Sequence, residues 1–229
     1  MNGLKHYLSS SVGAKQMVGF TGILLILFVI FHLAGNLLIY LGPDVFNGYA
    51  ATLHSLGLFL RLLEIGLASV FVLHLVFTAR LVMANRKARL TRYEVYSPSE
   101  ERSFAAKTMP YTGLLIFLFV LFHLFDFTLV DQSGSASIIR DVNFGLYGLV
   151  YQSFLNPIHS LVYLIAMAGL GLHLSHSIQS VFQTFGIAHA RYRALTRICS
   201  MSVGVIVASL FGSIPIYIMI HSHFWAFLT

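Results

Sequence analysis

Five apolar runs, at about 17–41, 58–84, 109–130, 157–184 and 199–220, set the tightest limit on how this chain can fold. Crossing roughly 30 Å of hydrocarbon takes about 20 helical residues, and each run is long enough. Lipid offers no partner for a peptide group, so a segment that enters it must satisfy its own backbone, as a helix does. Between the runs lie Gly42-Pro43-Asp44, a charged stretch from Arg86 to Lys107, a polar stretch from Asp131 to Arg140 and a basic turn from His189 to Arg197. All four carry residues that stop helices or seek water. At 57% hydrophobic and 10% charged, with a mean hydropathy of +0.81, the chain has too few polar residues for an ordinary water-facing surface. The expected fold is an all-α integral membrane protein, a bundle of five transmembrane helices. No Pro/Ser/Gly linker and no internal repeat argues for a second domain, so 1–229 reads as one.

Lysine and arginine set the expected orientation. Lys5 and Lys15 precede the first run, Arg80, Arg86, Lys87, Arg89, Arg92, Arg102 and Lys107 lie at the end of the second and beyond it, and Arg191, Arg193 and Arg197 lie before the fifth. Only Arg61 and Arg140 fall on the other side, and twelve against two places the N-terminus in the cytoplasm and the C-terminus outside. The first run is too long for a signal-peptide core and lacks a small-residue cleavage site, so it reads as a retained helix.

His32, His74, His123 and His173 each sit inside a different apolar run. Hydrocarbon is a costly place for an imidazole, and one such histidine is more often a hydrogen-bonded packing residue than a ligand. Four on four helices suffice to hold two haem irons, each between two imidazoles. Counted at 1.5 Å per residue from the cytoplasmic ends of the expected helices, His32 and His123 lie about 22 and about 21 Å deep, and His74 and His173 about 15 and about 16 Å. Matched depth pairs His32 with His123 and His74 with His173. The single Cys199 excludes an internal disulfide and any cysteine-ligated cluster, leaving histidine as the metal ligand. Gly19, Gly22, Gly35, Gly113, Gly169 and Gly171 leave room for a flat macrocycle, although they equally permit close helix packing.

Several fragments carry a family resemblance: FHLAGN around His32, FNGYAATLHSLGLFLRLLEI into the second run, VLHLVFTARL around His74, FHLFD around His123 and HLSHSIQSVFQTFG from His173. In order and spacing, over nearly the whole chain, they resemble the cytochrome b membrane subunit of succinate:quinone and quinol:fumarate oxidoreductases, of the five-helix, two-haem kind. The resemblance implies haem ligation by His32, His74, His123 and His173, a flavoprotein and an iron–sulfur protein docked on the cytoplasmic side, and electron passage between them and a membrane quinone, with menaquinone the usual partner. It implies residence in a bacterial cytoplasmic membrane and is compatible with a dimer of heterotrimers. Nothing here resembles a flavin or dicarboxylate site, so that chemistry belongs to the partner subunits. No nucleic-acid role is expected.

His176, three residues after His173, is a rival ligand on nearly the same face. The family pattern puts its ligand thirteen residues before the glycine that follows the helix, and Gly186 favours His173. His176 is then left to support a propionate. For proton exchange with the quinone, the resemblance points to His54, read as the start of the second helix on the outer side, and to Asp126, one turn after His123. Imidazole trades protons near neutral pH, yet a plain capping role for His54 explains it equally well. Arg61 and Glu64 are expected to pair with each other. One branch of the family carries a glutamate two residues before the fourth-helix ligand. Here that position is Gly171, so the sequence lacks the residue on which that branch's proton path through this position would depend.

His6, His159, His189, His221 and His223 read as interfacial or solvated. Ser9, Ser10, Ser11, Gln16, Arg80 and Lys87 fall near the expected propionates on the cytoplasmic side, where topology alone would also place cations. Three rivals share parts of this pattern. Dihaem subunits of membrane nitrate reductases or hydrogenases would match the optics but dock a different partner. A histidine-metal oxygenase would gather HxxxH boxes at one surface, and a transporter would show broken helices and an inverted repeat.

Overall fold

The computed structural model describes residues 3, 6–7, 10–87, 104–130, 137–139, 142–187 and 190–228. Lys5, Ser9, Arg89, Arg92, Arg102, Asp131, Arg140 and His189 lie outside the described residues, as does the side chain of His223. Seven α-helices follow in order: α1 (Ser11–Leu37), α2 (Pro43–Ser55), α3 (Leu58–Lys87), α4 (Phe104–His123), α5 (Gly145–Leu155), α6 (Pro157–Thr184) and α7 (Arg193–Leu228). Five of them, α1, α3, α4, α6 and α7, are long and apolar enough to cross a membrane, so the chain is a multi-pass membrane protein by length and composition. Its surface agrees: Leu58, Ile158 and Phe31 are 75%, 74% and 71% exposed, as side chains that meet acyl chains should be.

Local chemistry explains the ends. Ser10 Oγ accepts from the Gly13 N–H at 3.0 Å and so caps α1. Asn156 Oδ1 accepts from the Ile158 and His159 N–H groups at 3.0 and 3.4 Å and Pro157 opens the first turn, which starts α6. Gly186, at φ 75°, supplies the left-handed residue that ends it. Four of the long helices begin or end away from the expected limits. α1 starts at Ser11 rather than 17 and reaches Leu41 through a 3-10 turn, α3 runs on from 84 to Lys87, α4 covers Phe104–His123, and α7 runs from Arg193 to Leu228. Charged and polar end turns do not register in an apolar count, yet they extend a helix into the headgroup region.

Two helices, α2 and α5, were not expected. Gly42-Pro43-Asp44, read in the sequence only as a stop, is also a start: Gly42 turns the chain at φ 91°, Pro43 enters at the first helical position and Asp44 faces the positive end of the helix. Asn47 joins the two short helices, its Nδ2 donating to the Phe144 carbonyl at 2.8 Å and its Oδ1 accepting from the Tyr147 N–H at 3.0 Å. α2 and α5 thereby close one end of the bundle, here termed the upper end. The lower end is where α1 begins beside Thr184 and Phe185 at the end of α6.

Around the upper end a core of Ile39, Phe46, Val150, Phe154, Tyr163, Ile214 and Ile218 joins α2, α5, α6 and α7. Lower down, Leu33, Leu174 and Val207 pack α1, α6 and α7 together. α6 and α7 approach at Gly171 and Gly204, where a side chain at either position would strike the other's backbone carbonyl. Any side chain at position 171 would also bring its Cβ to 2.8 Å from Ala208 Cβ, so the contact favours glycine there. α1 packs on α3, and α4 packs on α6.

Candidate functional site

The histidines gather in two tiers. In the lower tier His74 of α3 and His173 of α6 lie within electrostatic reach of each other, and each ring is held by a threonine on a neighbouring helix. Thr21 Oγ1 lies 3.0 Å from His74 Nδ1 and donates its own proton to the Met17 carbonyl at 2.7 Å. Thr112 Oγ1 lies 3.2 Å from His173 Nδ1 and donates to the Met109 and Thr108 carbonyls at 3.1 and 3.2 Å. With the hydroxyl proton given to a carbonyl the oxygen accepts from the ring, and the tautomer that suits this arrangement carries its hydrogen on Nδ1 in both histidines. Nε2 is then left with a bare lone pair, the state a metal ligand requires.

Next to each threonine stands a glycine. A Cβ at Gly22 would lie 3.5 Å from His74 Cε1, and one at Gly113 would lie 3.5 Å from His173 Cε1. The missing side chains keep the space beside both imidazoles clear.

In the upper tier His32 of α1 and His123 of α4 face one another, ring centroids 5.8 Å apart and planes at 83°. Two imidazoles on one metal ion, with bonds of about 2 Å and about 1 Å from nitrogen to ring centre, would stand about 6 Å apart. The observed spacing fits. Phe28 stacks on His32 at 5.2 Å and Phe119 on His123 at 5.7 Å, each from one turn below. His123 Nδ1 lies 3.2 Å from Tyr163 Oη, which donates to Asp126 Oδ2 at 2.7 Å. As with the threonines, the hydroxyl proton is committed, Nδ1 is the donor and Nε2 is bare. No hydrogen bond to the His32 ring occurs among the described residues.

These matching details trace to an internal repeat that sequence analysis missed. Residues 21–33 read TGILLILFVIFHL and residues 112–124 read TGLLIFLFVLFHL, with Thr, Gly, Leu, Leu, Phe, Val, Phe, His and Leu shared at equivalent places. One copy lies on α1 and the other on α4. In each, the Thr-Gly pair serves the lower histidine of a neighbouring helix, and the histidine eleven residues later belongs to the upper tier. Eleven residues of helix rise about 16 Å, whereas counting from the expected ends gives only about 6 Å between tiers. α1 begins at Ser11 and α3 continues to Lys87, so those ends are unequal reference points.

His54 does not start α3. It lies in the last turn of α2, exposed, its Nδ1 2.8 Å from the Ala50 carbonyl, and no contact joins it to Asp126 among the described residues. Asp126 is half-buried in a π-helical turn, Leu124–Thr128, and has a second neighbour that the sequence reads as interfacial or solvated. His159 is one turn above Tyr163 on α6, with its Nε2 3.0 Å from Asp126 Oδ2 but out of line for a hydrogen bond. Tyr163, which ties this group to His123, was missed altogether because an apolar helix displays a tyrosine as one more hydrophobe. His176 is half-buried on α6, without the threonine partner that His173 has. Arg61 and Glu64 pair at 2.8 Å on the exposed face of α3.

Of the residues near the lower tier, Ser10 has its hydroxyl engaged by capping and by the Tyr7 carbonyl at 2.7 Å, and Arg80 lies over the Phe77 ring at 5.6 Å. Thr78 Oγ1, one turn after His74 on α3, is buried with no hydrogen-bond partner among the described residues. A buried hydroxyl left without a partner has a polar group still to meet. His221, read as part of an outer tail, instead lies within α7 against Tyr151 and Tyr217. Among the described residues no three His, Cys, Asp or Glu side chains converge on one point. The donors come in pairs, one from each of two helices, which suits a flat tetradentate macrocycle that lacks only its two axial ligands. No family model, no curated protein and no solved structure matches the chain.

Proposed function

We propose that this chain is the membrane-anchor cytochrome b subunit of a succinate:quinone or quinol:fumarate oxidoreductase, with two haems b between His32 and His123 and between His74 and His173. The observation that carries the reading is the repeated geometry of the ligands: two tiers, each with two imidazoles from different helices, and in three of the four a hydroxyl that leaves Nε2 bare. Bound there, the haems would supply one-electron carriers at two depths. The chain's own residues orient the imidazoles, clear space with Gly22 and Gly113, and exclude water with the apolar repeat. The unpartnered Thr78 hydroxyl would donate to a propionate of the lower group.

In this reading the basic loops face the cytoplasm and receive a flavoprotein and an iron–sulfur subunit, where the dicarboxylate reacts. The membrane is the cytoplasmic membrane of a bacterium. Quinone, in menaquinone form, exchanges electrons with the upper tier. Asp126 and His54 serve its protons, Asp126 from beside the upper tier and His54 from the exposed end of α2. An apolar groove of about 290 Å³ between α4 and α6, bordered by Phe119, Phe122 and Ala166, offers room for an isoprenoid tail.

Pyridine haemochrome analysis of the purified chain tests the ligands. Two haems b per chain are expected, with one lost in His173→Ala and both kept in His176→Ala. A folded chain without haem overturns the reading. Reduction of these haems by succinate in native membranes tests the partner assignment, and haems that answer hydrogen or nitrate instead transfer the subunit to another oxidoreductase.

A further inference from the structure

The two copies of the repeat part company one turn after their histidines. Three residues beyond His32 stands Gly35, against which the Tyr49 ring packs; three residues beyond His123 stands Asp126. α1 continues as ordinary helix past that point, whereas α4 widens into the π-helical turn Leu124–Thr128. The widened turn sets the Asp126 carboxylate on Tyr163 Oη at 2.7 Å, with His159 Nε2 at 3.0 Å from the same oxygen. Tyr163 is buried at 6% exposure, boxed in by Phe119, Phe122, Phe127 and Phe154, so its hydroxyl has little freedom to seek another partner. A short bond to a carboxylate strengthens the phenol oxygen as an acceptor toward His123 Nδ1.

From this asymmetry we propose that Tyr163 is a positioning residue that couples the His123 ring to the Asp126 carboxylate and thereby sets the potential of the upper haem apart from that of the lower. This inference rests on the haem reading above. A donor ring backed by a carboxylate is more basic at its other nitrogen and favours the more highly charged, oxidised metal. His74 and His173 lack this device, because the hydroxyls behind them lead only to peptide carbonyls. His32 lacks it too. Among the described residues, one ligand of the four is backed by a carboxylate, at the end of the bundle closed by α2 and α5. No step of electron or proton transfer is assigned to Tyr163 itself; it acts through His123.

The test is a spectroelectrochemical titration of the full-length protein, purified with its haems. Loss of a component in His32→Ala identifies the upper haem. Tyr163→Phe and Asp126→Asn should each raise its midpoint potential by about 59 mV, the one-electron equivalent of a tenfold change in the ratio of oxidised to reduced forms, and leave the lower haem where it was. Asp126→Glu, which keeps a carboxylate, should return the potential toward that of the parent protein. If Tyr163→Phe fails to retain the upper haem, Asp126→Asn, with the phenol in place, carries the measurement. An upper potential unmoved in Asp126→Asn, or equal shifts at both haems, overturns the inference alone. A folded chain with no haem overturns the reading beneath it.

Discussion

Thr21 and His74 stand on different helices, fifty-three residues apart, and meet at 3.0 Å between Oγ1 and Nδ1. The same pairing recurs between Thr112 and His173, which makes the hydroxyl a working part of the lower tier. Valine keeps the shape of threonine and loses the acceptor. On the proposed reading, with a haem in the lower tier, Thr21→Val or Thr112→Val should weaken its retention by about 10–100-fold, the usual effect of losing a residue that orients a metal ligand. The rate of haem loss to an excess of an apo-globin acceptor measures it, and the upper haem should stay.

At Gly113 the outcome should depend on size. An added Cβ would rest 3.5 Å from His173 Cε1, an ordinary contact. If the chain holds the two haems proposed above, Gly113→Ala should keep both, while Gly113→Leu fills the space beside the ring and should leave one haem per chain by the pyridine haemochrome assay.

Gly204 answers to packing between helices instead. A methyl group there would press on the Gly171 carbonyl and lie 3.2 Å from Ser175 Cβ, so α6 and α7 must separate to admit it. Overpacking of this kind costs about 1–3 kcal/mol. Thermal unfolding in detergent should show Gly204→Ala melting below the parent protein and Gly204→Val lower still.

Asn47→Ala removes both hydrogen bonds that tie α2 to α5. Leaving the Phe144 carbonyl and Tyr147 N–H without that partner should cost about 1–3 kcal/mol. The loss is expected to open the upper end before the bundle itself, so limited proteolysis should cut near Gly42 or Gly57 at protease levels that spare the parent.

Much of this architecture was legible in the sequence because lipid permits so few solutions. A run such as 157–184 must be helix, and Pro157 and Gly186 mark its ends so plainly that the observed helix, Pro157–Thr184, has the expected limits. α2 and α5 escaped the same treatment, since residues such as Asp44, Asn47, Thr52 and His54 give α2 no long apolar stretch. The histidines drew notice because imidazole is out of place in hydrocarbon. Their supporting hydroxyls did not, because Thr21, Thr112 and Tyr163 are ordinary in a membrane helix and gain meaning only from partners 53, 61 and 40 residues away. The repeated TG…FHL string was the available signal.

Eleven residues separate Thr21 from His32 and Thr112 from His123. At about 100° per residue that interval is three full helical turns and about 20° more, so each strut presents hydroxyl and imidazole along one edge. Substitutions within the interval can alter what fills the bundle but not the height between its two levels. Inserting or deleting a single residue would swing the upper imidazole about 100° around its axis, away from its facing partner. Two struts of identical length and phase make the vertical spacing a property of chain arithmetic, set twice over and indifferent to the side chains in between.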